Sequence, residues 1–374
     1  MKKKLSEVCK FQYGYPFDSS LFSDIDGTPV IRIRDIIRGF SETKTTEACS
    51  TDYIVDNGDI LIGMDGEFNI AKWKGGKAFL NQRVCKLIPF DVDKDYIFYH
   101  LPKILKNIEE KTSFATVKHL SAKQLNCIYI DIPEQTIQYK IANIFIKIDS
   151  LINKRKQQLF KLDQLVKSRF VEMFGDENSF HSWVTCKVDN IAEVCVGIVI
   201  KPSQYYTLDI ESGIKAFRSL NIGEMYIKNK DWVYFTKEGH QKNQKSIIKE
   251  NDVLIVRSGS PGTACVATKE YAGYNAIDII IAHPNCKKIN PVFLAMFTNM
   301  PHGMNQIREN TGGAAQQHFN VGGYKNITII LPPLFLQEQF AAFVQQVEKA
   351  KSSVNLSLEK LETLKKSLMQ EYFG

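Results

Sequence analysis

Polar loops with the residue types of a ligand-binding surface occur at matched places in the two halves of this 374-residue chain. Residues 257–263 (Arg-Ser-Gly-Ser-Pro-Gly-Thr) follow the apolar run 253–256, and residues 63–69 (Gly-Met-Asp-Gly-Glu-Phe-Asn) follow the run 60–62. Glycine lets a backbone approach a ligand closely, while arginine and serine donate hydrogen bonds to phosphates and base edges. The alternative for each loop is a plain hairpin turn. The candidate contacts in these two loops are Met64, Asp65, Arg257, Ser258 and Ser260.

A second matched pair of polar segments lies further along each half. Residues 311–319 read Thr-Gly-Gly-Ala-Ala-Gln-Gln-His-Phe, and residues 112–120 read Thr-Ser-Phe-Ala-Thr-Val-Lys-His-Leu. Glutamine can bind adenine through two hydrogen bonds in a major groove, and lysine or histidine can bind guanine or phosphate. Duplication alone would also preserve the matched histidines. The candidates here are Lys118, His119, Gln316, Gln317 and His318.

Further basic residues, some interleaved with aromatic ones, suit sequence-independent contacts to phosphates. Three of them lie in the matched segments 31–36 and 217–222, and the formal net charge of +7 mildly favours a polyanionic partner. For any single one of these residues, a solvated surface position is the alternative. The candidates are Arg32, Arg34, Lys72, Lys74, Lys77, Arg218, Lys242 and Lys245.

Motifs of catalysis and metal binding are missing from the sequence. There is no phosphate-binding Walker loop, no HExxH, no GxSxG and no GxGxxG after a strand. The Pro-Pro pair in residues 331–334 lacks the amide or carboxylate and the aromatic residue that an adenine methyltransferase loop requires. The eight cysteines stand singly, without a CxxC pair, which argues against structural zinc. We expect a non-catalytic chain with no metal or cofactor of its own.

The location of the protein is indicated by two further features of the sequence. No run of about 18 apolar residues exists, which argues against a membrane span. The basic N-terminus has no apolar stretch behind it, so it does not resemble a secretion signal. We expect a cytoplasmic protein with no membrane partner.

The elements that position these loops repeat along the chain. At a constant shift of 199 residues, His119 matches His318, and the residues at 133 and 138 (Pro and Gln) match those at 332 and 337. The match runs without a gap to the Phe-Gly pairs that end at residues 175 and 374. Upstream the shift drifts through 193 and 186 to 183, as loops of different length would produce. A domain of variable length followed by a module of constant length therefore occurs twice.

The constant modules are predicted to be long helices. Neither 138–174 nor 337–373 contains glycine or proline, and both are preceded by proline and followed by glycine. About 37 residues at ~1.5 Å each give a rod of roughly 55 Å, and an apolar stripe along it indicates a coiled coil. The predicted pairing residues are Ile141, Ile148, Leu162, Phe340, Val347, Val354, Leu361 and Leu368.

The domains before the helices are predicted to mix strands and helices, with a strand order that the patterns do not define. The predicted boundaries are 1–131 and 176–330 for the two domains, and 132–175 and 331–374 for the two helices. Predicted strands lie at 60–62, 82–88, 128–132, 253–256, 277–282 and 327–331, and predicted helices at 95–108 and 291–300.

The whole chain resembles the specificity subunit of type I restriction-modification systems. The resemblance rests on the order domain, helix, domain, helix and on the strand-Pro-x-x-x-x-Gln entries at 133–138 and 332–337. The Asp-Ile-Leu-Ile and Asp-Val-Leu-Ile strands, the Gly-Gly-Ala-Ala-Gln-Gln-His-Phe segment and the Phe-Gly helix ends also fit. The chain begins almost directly in its first domain, so we expect no additional N-terminal helix for partner contact.

The resemblance implies an α+β fold with two similar mixed α/β target recognition domains. Each domain would read one half of a split, asymmetric DNA sequence. The two helices would pair as an antiparallel coiled coil with pseudo-twofold symmetry and set the gap between the halves. Two DNA methyltransferase subunits and restriction-translocase subunits are the implied partners. S-adenosylmethionine, ATP and magnesium would belong to those partners.

Three alternatives stay open at this point. One is a specificity subunit that serves a methyltransferase alone or a fused-type system. Another is a coiled-coil scaffold or assembly protein without direct DNA reading. The last is an enzyme, such as a nuclease within one of the variable domains.

Overall fold

The computed structural model describes residues 1–112, 118–176, 179–311 and 318–374. The chain divides into two compact units. Unit 1 comprises Met1–Lys156 and Leu356–Gly374, and unit 2 comprises Gln157–Asn355. Each unit thus contains most or all of one predicted domain together with parts of both long helices.

Unit 1 is built from short strands and a few helices. Its strands are β1 (Lys2–Lys4), β2 (Cys9–Tyr13), β3 (Phe22–Ser23), β4 (Thr28–Ile31), β5 (Lys44–Thr45), β6 (Ile54–Val55), β7 (Ile60–Gly63), β8 (Ile70–Lys72), β9 (Ala78–Leu80), β10 (Val84–Pro89) and β11 (Tyr129–Asp131). Its helices are α1 (Ile33–Arg38), α2 (Lys94–Lys111), α3 (Ala122–Asn126) and the first part of α4 (Gln135–Phe174).

Unit 2 follows a similar plan. Its strands are β12 (Thr185–Lys187), β13 (Ala192–Val196), β14 (Tyr206–Thr207), β15 (Ile214–Phe217), β16 (Val233–Phe235), β17 (Val253–Val256), β18 (Ala264–Val266), β19 (Asn275–Ala276), β20 (Ile279–Pro284) and β21 (Thr328–Ile330). Its helices are α5 (Lys237–Lys242), α6 (Pro291–Asn299), α7 (Pro301–Glu309), α8 (Val321–Lys325) and the first part of α9 (Leu334–Phe373).

The central sheets of the two units share one topology. The strand order is β2-β10-β7-β8 in unit 1 and β13-β20-β17-β18 in unit 2, with antiparallel neighbours throughout. A further sheet in each unit contains one parallel pair, β4 with β9 and β15 with β19. A two-stranded sheet joins β1 to β11 and β12 to β21. The strands at 60–62, 82–88, 253–256 and 277–282 that the sequence predicts all lie in the central sheets.

Glycine is required where the first strand of each central sheet ends. A Cβ on Gly14 would lie 2.1 Å from the carbonyl oxygen of Asn81, and one on Gly197 would lie 2.4 Å from that of Ala276. Both distances are far below van der Waals contact, so each close approach of two backbones depends on a missing side chain. These two glycines match in the repeat and have the same structural cause.

The long helices α4 and α9 each span 40 residues and run antiparallel to each other within each unit. In unit 1, Asp149 pairs with Lys365 at 2.6 Å and the stacked rings of Phe145 and Phe373 lie 5.6 Å apart. In unit 2, Asp163 pairs with Lys351 at 2.8 Å. Of the predicted pairing residues, Ile141, Ile148, Phe340, Val347 and Val354 are buried, and Leu162, Leu361 and Leu368 are partly buried.

The Pro-x-x-x-x-Gln entries fasten the long helices to their domains. The buried side chain of Gln138 accepts a hydrogen bond from the backbone N–H of Asp93 at 2.8 Å and donates one to the carbonyl of Pro133 at 2.8 Å. Gln337 makes the same two contacts, with Asn290 at 2.8 Å and Pro332 at 2.7 Å. Asp93 and Asn290 cap α2 and α6. Each glutamine therefore joins the start of a long helix to the start of the helix that packs on the central sheet.

Candidate nucleic-acid interface

The two matched polar segments of each half meet in space. In unit 2 the loop that follows β17 reaches the segment before α8, where Ser258 Oγ lies 2.8 Å from Nδ1 of His318. The backbone N–H of Phe319 donates to the carbonyl of Arg257 at 3.0 Å. Residues about 60 positions apart along the chain thus form one surface.

Unit 1 contains the corresponding arrangement. Asp65 Oδ1 lies 2.5 Å from Nδ1 of His119, and the N–H of Leu120 donates to the carbonyl of Met64 at 2.7 Å. The N–H of Gly66 donates to the carbonyl of Lys118 at 2.8 Å. We call each of these paired segments the polar junction of its unit: residues 64–69 with 118–120 in unit 1, and 257–263 with 318–319 in unit 2.

An ion pair beside each polar junction has opposite polarity in the two units. In unit 1 the acidic residue lies in the loop, and Asp65 pairs with Arg83 at 2.9 Å, just before β10. In unit 2 the basic residue lies in the loop, and Arg257 pairs with Asp278, just before β20. The two junctions therefore present different charged groups, although their backbone contacts are alike.

Two of the candidate contacts are corrected by their surroundings. Met64 is only 4% exposed and packs in the core of unit 1, because the segment around residue 120 covers it. The side chain of Arg257 is 15% exposed, pairs with Asp278 and donates to the carbonyl of Phe319 at 3.1 Å. We assign both to holding the polar junctions together rather than to contact with DNA.

Other candidates are held by neighbouring side chains. Lys72 is partly buried and pairs with Asp95. Arg218 donates to the carbonyl of Asp231 at 2.5 Å, and the exposed Lys242 pairs with Glu238 at 2.6 Å.

The remaining candidates divide by exposure. Exposed ones are Arg32, Arg34, Lys74, Lys77, His119, Lys245, Ser260 and His318, while Asp65, Lys118 and Ser258 are partly buried. Gln316 and Gln317 lie outside the described residues.

A cleft of about 420 Å³ in unit 1 contains residues that the sequence patterns did not single out. Arg83, Asn81 and Gln82 line it together with the predicted Arg32 and Arg34. The signal available in the sequence was the reversal of charge between Arg83 and Asp278, which precede matched strands. In unit 2 a cavity of about 610 Å³ adjoins Ser258, Gly259 and Ser260. Lys167 also lines this cavity and pairs with Glu224 at 2.7 Å.

Within residues 1–112, 118–176, 179–311 and 318–374, no group of three or more His, Cys, Asp or Glu side chains could hold a metal ion. No helix in those same ranges is long and apolar enough to cross a lipid bilayer. The two junctions offer hydrogen-bonding and charged groups at the surface, and groups of these types can contact phosphates and base edges.

Comparison with known proteins assigns the class. Residues 1–161 and 189–363 match the model of the type I restriction modification DNA specificity domain. The two matches cover most of the chain and fall on its two repeated halves. The chain therefore belongs to this family, as its resemblance in sequence predicted, and the family favours DNA specificity over a scaffold without DNA reading.

Individual relatives have the same assignment. The specificity subunit of the type I restriction enzyme EcoBI from Escherichia coli is 27% identical over 415 aligned positions, covering 100% of this chain and 85% of that protein. The MjaVIII specificity subunit from Methanocaldococcus jannaschii is 25% identical over 131 residues, 35% of this chain and 30% of that protein.

Solved structures have the same fold. The S subunit of a type I restriction-modification system from M. genitalium superposes with a TM-score of 0.61, 14% identity and coverage of 100% of this chain and 96% of that one. A chain from a structure on complex assembly and conformational transition of the type I R-M system superposes with a TM-score of 0.55 and 14% identity. The match covers 100% of this chain and 97% of that one. The predicted α+β class, with two similar domains and two long packed helices, is confirmed.

Proposed function

We propose that this chain is the DNA specificity subunit of a type I restriction-modification complex and reads a two-part, non-palindromic DNA sequence. The observation that carries the proposal is the duplicated architecture, matched to the specificity family in both halves. One polar junction per unit supplies one reading surface per half-site. Because the two junctions present different side chains, the two half-sites are expected to differ.

The chain itself is non-catalytic in this proposal. It acts in the cytoplasm with two methyltransferase subunits, and restriction-translocase subunits join them. S-adenosylmethionine, ATP and magnesium are held by those partners. The long helices act as the spacer: 40 residues at ~1.5 Å correspond to about 60 Å, long enough to serve half-sites about one DNA turn apart, roughly 34 Å.

Exchange of one domain tests the assignment of one half-site to each domain. Residues 176–330 are replaced by the corresponding domain of a relative, and the protein is co-expressed with its methyltransferase subunit. Mapping of methylated bases in genomic DNA should show a change in one half of the motif only. A change in both halves, or a wild-type complex that methylates no two-part motif, contradicts the proposal.

Shortening the helices tests the spacer. Deletion of seven residues, two helical turns, from each of α4 and α9 keeps the apolar stripe in phase. The gap between the half-sites should shorten while both half-sites stay unchanged. Deletion of seven residues from α9 alone is the matched control, since it removes the register between the helices and should abolish methylation. An unchanged gap in the doubly shortened protein contradicts the spacer role.

A further inference from the structure

We propose that Arg83 reads a guanine in the half-site bound by the first domain, oriented for this by Asp65 and His119. The inference rests on the proposed function and assigns to one residue the recognition that the proposed function gives to a whole domain. The observations behind it are the position of Arg83 in the unit 1 cleft, its partners and its exposure.

The partners of Arg83 hold its guanidinium from one side. Nη1 of Arg83 lies 2.9 Å from Oδ2 of Asp65, and the other carboxylate oxygen of Asp65 lies 2.5 Å from Nδ1 of His119. The backbone is held as well, because the N–H of Met64 donates to the carbonyl of Arg83 at 3.0 Å. Three segments of the chain thus meet around Asp65, which contacts both Arg83 and His119.

The other side of Arg83 is open. Its side chain is 56% exposed, whereas that of Asp65 is 17% exposed. A guanidinium has five N–H donors in a rigid fork, so the N–H that binds a carboxylate leaves other donors available. Guanine presents two acceptors, O6 and N7, on its major-groove edge, and their pairing with arginine is the commonest specific base contact. An arginine already oriented by an acidic neighbour loses less side-chain freedom when it binds.

The surroundings of Arg83 are suited to a DNA strand. Arg32, Arg34 and Gln82 line the same cleft, with Phe17 and Phe22 also on its wall. The arginines supply positive charge for the phosphates, and the amide of Gln82 is exposed beside Arg83. A contact of Arg83 with phosphate instead of guanine would bind all sequences alike, and this difference is what the experiment measures.

Unit 2 has no equivalent reader at this place. The residue before β20 is Asp278, which has the opposite charge and pairs with the largely buried Arg257. The same backbone position is therefore a guanine reader in one unit and part of an internal ion pair in the other. This difference is the kind that two unlike half-sites require.

The experiment uses the whole chain with its methyltransferase subunits. The methylated motif of the wild type is mapped, and the domain exchange identifies which half belongs to the first domain. Each guanine of that half is then replaced in turn by 7-deazaguanine, which keeps base pairing and lacks the N7 acceptor. At one position the wild-type affinity should fall roughly 10- to 100-fold. Arg83→Ala should bind the natural and the substituted DNA equally well.

Three further variants sharpen the result. Arg83→Lys keeps the charge but loses the fork, so it should retain affinity for phosphate and lose most of the discrimination. Asp65→Asn should reduce discrimination while keeping Arg83, as expected of a positioning residue. Arg38→Ala removes an exposed arginine of α1 that does not line the cleft and should leave discrimination unchanged.

The outcomes separate this inference from the proposed function. A first half-site without a G·C pair, full sensitivity to 7-deazaguanine in Arg83→Ala, or no sensitive position in the wild type overturns the inference alone. A loss of affinity that is uniform over all sequences in Arg83→Ala overturns it as well. A wild-type complex without any two-part motif overturns the proposed function. Because the wild-type substitution scan needs no variant, poor folding of Arg83→Ala does not block the test.

Discussion

The loops that precede β7 and β17 show how the two units differ within one framework. In unit 1, Asp59 accepts the N–H of Asp56 at 2.9 Å and pairs with Lys86 of β10 at 2.7 Å. In unit 2, Asp252 accepts the N–H of Lys249 at 2.6 Å and pairs with His283 of β20 at 2.5 Å. The aspartate closes the same turn in both, but its partner is a lysine in one unit and a histidine in the other. Duplication has kept the backbone contacts and changed the groups that titrate.

Histidines give the units opposite responses to pH. His283 of unit 2 donates to Asp252, and this hydrogen bond raises the pKa of His283 to about 9, with Sγ of Cys195 3.7 Å from Nε2 as a second neighbour. His100 of unit 1 is buried against Phe373, and burial lowers the pKa of His100 to about 4, opposed by the charge of Asp131. The first histidine favours its charged form in the folded protein and the second its neutral form.

The largest effect should come from the aromatic contacts between the helices. Phe145 and Phe340 are fully buried, and each packs on the last phenylalanine of the other long helix, Phe373 and Phe174 respectively. Phe145→Ala and Phe340→Ala should each lower the free energy of unfolding by about 3–5 kcal/mol, measured by urea unfolding. Phe160→Ala is the matched control, because Phe160 is 64% exposed and should change stability by less than about 0.5 kcal/mol. Clearly unequal losses of unfolding free energy in Phe145→Ala and Phe340→Ala would show that the two aromatic contacts are not equivalent.

The pH dependence should have opposite signs in the two units. For His283 the folded pKa is raised, so its stabilisation is complete below the unfolded value of about 6.5 and is lost as pH rises through about 9. For His100 the folded pKa is lowered, so its stabilisation is complete above about 6.5 and is lost as pH falls through about 4. Each contribution is on the order of 3 kcal/mol.

Tryptophan fluorescence can measure the two units separately. Trp73 reports on unit 1 in a protein that carries Trp183→Phe and Trp232→Phe, and those two tryptophans report on unit 2. His283→Gln should remove the loss of stability of unit 2 between pH 6.5 and 9. Below pH 6.5, unit 1 should lose more stability than the protonation of carboxylates alone would cause. His100→Gln should remove this additional loss. If both units lose stability in the same direction with wild-type histidines, the comparison is wrong.

Gln138 and Gln337, which join the start of each long helix to α2 and α6, should behave alike, with a smaller effect. Gln138→Leu and Gln337→Leu each leave a part-buried backbone N–H and a buried or part-buried carbonyl without their partner, at a cost of about 1–3 kcal/mol of unfolding free energy. The control is Gln82→Leu, which alters an exposed glutamine and should leave stability unchanged. Hydrogen exchange at the start of α2 should rise in Gln138→Leu, and at the start of α6 in Gln337→Leu. If hydrogen exchange stays unchanged at these places, the two glutamines do not hold the starts of α2 and α6.

The smallest effect should come from exposed lysines that we expect to contact phosphates in either unit. Lys74→Ala in unit 1 and Lys245→Ala in unit 2 should each lower DNA affinity modestly for all sequences and reduce the slope of affinity against salt concentration by about 1. The methylated motif should stay the same, in contrast to the result expected for Arg83→Ala. Titration of DNA binding at several salt concentrations measures this. A changed motif for either lysine variant would assign it to base reading instead.

Local patterns were enough to predict the two long helices, the helices α2 and α6, and the two inner strands of each central sheet. The long helices begin at Gln135 and Leu334, three residues after the predicted boundaries at 132 and 331, because the prolines at these places lie outside the helix and disfavour helical backbone in the residues before them. The repeat also indicated which loops of the two halves correspond. Each polar junction joins two loops of the same half, and the sequence did not predict that contact.

Contacts between distant residues could not be predicted in the same way. The side chain of Gln138 binds the backbone of Asp93, 45 positions earlier, and the pattern Pro-x-x-x-x-Gln contains no sign of that partner. The polar sequence around Met64 predicted an exposed side chain, but the segment that begins at residue 118 covers Met64. The role of Arg83 could not be predicted, because no neighbouring motif along the chain indicates it. Asp65, which it contacts, and His119, which contacts Asp65, come close to it only after folding.

Periodicity and repetition along the chain predicted two domains and two long helices, because helical stripes and duplicated segments depend on near neighbours alone. The resemblance in motifs and element order indicated the specificity family, and the match of the family model showed it. Strand order, the polarity of the ion pairs and the choice of exposed side chains were decided by the tertiary structure. Those features depend on which distant segments lie against one another, and burial then determines whether a polar residue holds the fold together or faces a ligand. Asp65 and Ser258 occupy matched positions in their loops, yet only the partners across each junction distinguish their roles.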